Sequence, residues 1–100
     1  MKITIKNREI ELKQTMRSMI IWEKIQDKAF NITNLSDVLI YLYSTIQASD
    51  RNSDITIDEF FDWIDANPQA FVEFQEWLEN EAKRTQQASQ KNTKKKKTKK

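Results

Sequence analysis

The chain has no glycine, no histidine and no cysteine, and only one proline. Without cysteine there are no disulfides and no thiolate chemistry. Without histidine the commonest general base and the commonest transition-metal ligand are missing. Without glycine no Gly-rich loop can cradle a phosphate. No apolar run approaches the roughly 18 residues that span a bilayer. The N-terminal stretch MKITIK is not expected to be a signal peptide. These absences predict a protein that is not an enzyme, holds no cofactor or metal, and makes no membrane contact.

The formal net charge of +2 averages two opposite parts. Residues 1–82 hold eight Lys and Arg against 15 Asp and Glu, a balance of −7, whereas residues 83–100 hold nine basic residues and no acidic one. An acidic body over residues 1–85 therefore carries a separate basic tail over 86–100. The tail, QQASQKNTKKKKTKK from residue 86, has too little apolar surface to offset its ordering entropy and is expected to be disordered. Its run Lys94, Lys95, Lys96 and Lys97 is the candidate nucleic-acid contact, acting through counterion release. It has no aromatic residue to stack on bases. A solvated end without function is the alternative.

The body reads as mainly α, with an N-terminal two-stranded β-hairpin packed on a compact bundle of about four helices. In ITIKNREIEL, Ile3, Ile5, Ile10 and Leu12 fall on one face of a hairpin, with Asn7 suited to the turn and Arg8 a poor second turn residue. Thr15 caps a helix running to about Lys28, and its Met19-Ile20-Ile21-Trp22 run predicts a wide apolar arc in a central position. Ser36 is the expected cap of the next helix, with Val38, Leu39, Leu42 and Ile46 as its stripe and Ile40, Tyr41 and Tyr43 beyond it. Asn67-Pro68 opens the last helix, which is lined by Phe71, Phe74 and Leu78.

The stretch ASDRNSDITIDEF, from residue 48, has the look of half a calcium-binding loop. With Glu59 in the bidentate twelfth position, Asp50, Asn52 and Asp54 fall on ligand positions, yet Ala48 stands in the first and Ser53 where the turn needs glycine. Beginning instead at Asp50 puts Ile55 at the glycine and Phe61 at the last ligand. Thr56 to Glu59 fits a capping box, with Ile55 and Phe60 as its hydrophobic staple. The stretch reads as a loop followed by a helix start.

The order of ITIKNREIEL, TMRSMIIWEKIQDKAF and ITIDEFFDWIDANPQAFVEFQEWL resembles the small tail assembly chaperones of long-tailed phages and prophages. Arg17, Trp22, Glu23, Lys28 and Phe30 match that family's outline for the first helix. Asp58-Glu59-Phe60 and Glu76-Trp77-Leu78 match its acidic helix and its final aromatic helix. The chain departs from the family at Asp27, where a Thr-Gly pair is frequent, and in a hairpin turn without glycine.

The resemblance implies a non-enzymatic chaperone of viral tail assembly. It would bind the tape measure protein, keep it soluble and help tail tube subunits assemble, in the host cytoplasm and outside the mature virion. A tape measure is a long chain whose apolar helix faces aggregate if uncovered, and a small helical domain rich in aromatic residues can receive such a helix. Trp63, Phe74 and Trp77 are the candidate partner-binding residues, with Trp63 and Phe74 expected to be partly exposed; the alternative for each ring is a place in the core.

The lysine run also implies an adenine-rich messenger. Family members often make a longer product by ribosomal slippage near this point, so a translational frameshift is expected. The hairpin edge and the opposed charges predict weak, salt-sensitive self-association, hence a homo-oligomer. The rival reading is a small nucleic-acid-binding accessory protein that works through its Lys-rich tail.

Overall fold

The computed structural model describes the backbone of residues 1–50 and 54–99 and the side chains of residues 1–50 and 54–83. The chain is mainly helical with an N-terminal antiparallel hairpin. Its elements are β1 (Lys2–Ile5), β2 (Arg8–Glu11), α1 (Met16–Gln26), α2 (Leu35–Ser49), α3 (Ile57–Ala66) and α4 (Pro68–Lys99). The contact expected through Lys94 to Lys97 falls outside the described side chains.

The hairpin pairs Ile3 with Ile10 and Ile5 with Arg8, and Ile3, Ile5, Ile10 and Leu12 are all buried, as their alternation predicts. Its turn lies one residue earlier than expected, at Lys6-Asn7, both with positive φ. A left-handed lysine costs on the order of 1 kcal/mol. In that register Lys6 Nζ reaches Glu59 at 2.9 Å and Asp54 at 3.7 Å, and Arg8 reaches Asp50 at 3.1 Å and Asp54 at 3.4 Å. These ion pairs tie the turn to the end of α2 and the start of α3.

Asn34, not Ser36, caps α2: its side chain accepts the Asp37 N–H at 2.9 Å, and Ser36 lies exposed in the first turn. Asparagine and serine are equally good caps, and only Asn34 stands three residues before the buried Asp37. The buried face of α2 also differs from the expected stripe. Tyr41, Leu42, Thr45 and Ile46 are buried, while Val38 and Leu39 are only half-buried. Thr45 and Ser44 bury their hydroxyls by donating to the carbonyls of Tyr41 and Ile40.

At α3 the capping box is present on both sides. Glu59 N–H donates to Thr56 Oγ1 at 3.1 Å, and Thr56 N–H donates to Glu59 Oε1 at 2.9 Å. Ile55 and Phe60 are both buried. Pro68 is the first residue of α4. The core gathers the hairpin face, Trp22, the inner side of α2, Phe60, Ile64 and Phe74.

Candidate functional site

α1 is built by a capping box with serine in the place usually held by glutamate. Thr15 Oγ1 accepts the Ser18 N–H at 3.2 Å, and Ser18 Oγ accepts the Thr15 N–H at 3.1 Å. The helix ends at Gln26, two residues short of expectation, because Asp27 turns left-handed at φ 54° and its N–H bonds the Glu23 carbonyl.

The helix is held along a single row. Ser18 and Trp22 are its buried residues. The Trp22 indole N–H donates to the Asp37 carbonyl at 3.0 Å, and its ring meets Phe30 edge-on at 5.0 Å. Phe30 meets Tyr41 at 5.0 Å, and Tyr41 leads to Phe74 at 6.1 Å. The Asp37 carboxylate accepts from Gln26 at 3.1 Å and from the Thr33 N–H and hydroxyl at 2.9 Å each. The Thr33 N–H is the main cause holding the Asp37 pKa below its ordinary value, against the opposite pull of burial.

Beyond Ser18 and Trp22, Ile21, Glu23 and Gln26 are half-buried and the other residues of α1 are exposed, which corrects the expected central position. Met16 is 79% exposed and Ile20 48%, and Met19 and Ile25 are exposed as well. Leu35, opening α2, is 60% exposed. Single exposed apolar residues are ordinary. Here Met16, Met19 and Ile20 stand at i, i+3 and i+4, so they adjoin on one face. The expectation failed because α1 packs chiefly on α2, so one helix covers one row and, among the described residues, no element lies over the exposed arc. Met16, placed a full turn before Met19, was the signal in the sequence that the apolar arc reached past one contact row.

Of the three aromatic candidates, Phe74 and Trp77 are in ring contact at 5.8 Å, and Trp63 stands apart from them. Phe74 is fully buried between Tyr41 and Trp77, which corrects its expected exposure. Trp63 is half-buried on α3; its indole donates to the Thr4 carbonyl at 2.9 Å, and it lines an open groove of about 550 Å³ with Lys2, Pro68 and Val72. Trp77, also half-buried, lines a separate hollow of about 390 Å³ beside Met1, Gln14 and Glu81.

Among the described residues no cluster of three or more His, Cys, Asp and Glu is placed to hold a metal ion. Glu59 is engaged by Thr56 and Lys6, and the Thr56 N–H is the main cause lowering its pKa. Asn52 and Ser53 of the calcium alignment lie outside the described residues. No described helix is long and apolar enough to cross a membrane.

No family model, curated protein or solved structure matches this chain. The functional reading therefore rests on the exposed arc of α1 and on its surroundings.

Proposed function

We propose that the chain is a non-enzymatic phage tail assembly chaperone that binds the tape measure protein through the exposed arc of α1. One observation carries this reading: Met16, Met19 and Ile20 form a contiguous apolar face that no described element covers, on an otherwise well-packed small domain. Such a face suits an amphipathic helix laid along it, with anchors spaced three and four residues apart. Methionine adapts its shape to varied apolar partners, which fits a protein that must cover several segments of one long chain. On this reading the chaperone acts in the host cytoplasm, is left out of the finished virion and hands its client to the tail tube protein. Trp63 and Trp77 stand apart from α1 and serve chiefly the packing of the domain.

Co-expression with the tape measure protein of the same genome tests the reading. The wild-type chain should keep the tape measure in the soluble fraction, and Ile20→Asp should lose that effect while keeping its helical circular dichroism. No effect of the wild type, or an effect that depends only on Lys94 to Lys97, would favour the nucleic-acid reading instead.

A further inference from the structure

The arc of α1 has a charged border. Arg17 and Lys24 are exposed and stand seven residues apart, two helical turns, so they share one row beside Ile20. Neither has an ion-pair partner among the described residues. Glu23 lies on the same side of α1, four residues after Met19; it is half-buried and keeps its charge, with its carboxylate turned to the Phe30 N–H, which it accepts at 2.7 Å. The opposite sign prevails over residues 54–82, which contain nine Asp and Glu and no Lys or Arg. α1 therefore presents an apolar strip with a cationic row, on a body whose α3 and first turns of α4 are anionic.

Resting on the docking role proposed above, we infer that this face selects acidic amphipathic helices, whose apolar stripe is bordered by Asp or Glu. Arg17 and Lys24 meet the carboxylates of such a helix, while Met16, Met19 and Ile20 take its apolar anchors. The field of α3 and the first turns of α4 repels the same ligand from that part of the body, while the basic residues of 83–100 attract it, so the apolar anchors of α1 are what make the docking specific. α1 has 11 residues, which at 1.5 Å per residue offers a track of about 16 Å, or three turns of a partner helix.

The test uses the full chain and two synthetic peptides of about 21 residues, locked helical by a hydrocarbon staple. Both carry leucines at helix spacing, with glutamates at the flanking positions of one and lysines at those of the other. Titration calorimetry should show the acidic peptide binding about tenfold more tightly, and Arg17→Glu with Lys24→Glu should remove or invert that preference. Ile20→Asp separates the helix face from any attraction of the lysine tail, and it should abolish the specific component.

Equal affinity for the two peptides, lost in Ile20→Asp, would overturn the acidic selectivity and leave the docking face standing. Acidic binding unchanged by Ile20→Asp, or no binding of either peptide, would overturn both. Self-association seen by light scattering and abolished by Ile20→Asp would assign the face to a second copy of the chain and overturn the inference.

Discussion

Asp37 ties α2 to α1 and to the loop between them. Its carboxylate receives hydrogen bonds from Thr33 and Gln26, its carbonyl receives one from Trp22, and Lys28 lies 3.9 Å away. Because its folded pKa is lowered, chiefly by the Thr33 N–H, the unfolded chain takes up the proton more readily. The ionised group thus contributes stability above its unfolded pKa of about 4, and that contribution is lost as pH falls through the lowered folded value. Asp37→Asn should be less stable than wild type at neutral pH, with the gap narrowing in acid, when urea midpoints are compared at several pH values. Phe74, fully buried among rings, belongs to the same scale. Phe74→Ala should cost about 3–5 kcal/mol in denaturant unfolding, the penalty of a core cavity.

At the scale of elements, local chemistry was legible and neighbourhood was not. The box at Thr56 and Glu59 and the start at Pro68 involve residues within a turn of each other, so their pattern is written in the chain. The turn at Lys6-Asn7 is tied by ion pairs of Lys6 and Arg8 to Asp50, Asp54 and Glu59, 42 to 53 residues along the chain, which no local pattern displays. The cap of α2 can be checked directly. Asn34→Ala should cost about 1 kcal/mol, and Ser36→Ala should stay within about 0.5 kcal/mol of wild type in thermal melts. At the end of α1, Asp27 holds φ 54° where glycine is favoured. Asp27→Gly should therefore stabilise the fold by about 0.5–1 kcal/mol, read as a higher urea midpoint.

For the whole molecule, the alternation of the hairpin and the aromatic content of the helices announced an α-rich domain with a hairpin, and that architecture is present. The candidate site was legible only in part. Aromatic rings drew attention to Trp63, Phe74 and Trp77, yet rings are the residues a small core recruits first, and Phe74 went there completely. The uncovered face belongs to plainer residues, Met16, Met19 and Ile20, whose exposure depends on how many helices reach α1 rather than on their own type. Charge separation, read from the sequence as an acidic body with a basic tail, acquires a direction only once Arg17 and Lys24 are seen beside that face.

The central claim is that α1 is the docking face of a tail assembly chaperone. Amide chemical-shift mapping of the isotope-labelled full chain, titrated with a helical fragment of the tape measure protein from the same genome, tests it most directly. The account predicts the largest shifts along Met16 to Ile25 and at Leu35, and their loss in Ile20→Asp. Shifts centred on Trp63, Trp77 or the basic tail, with α1 unmoved, would contradict it.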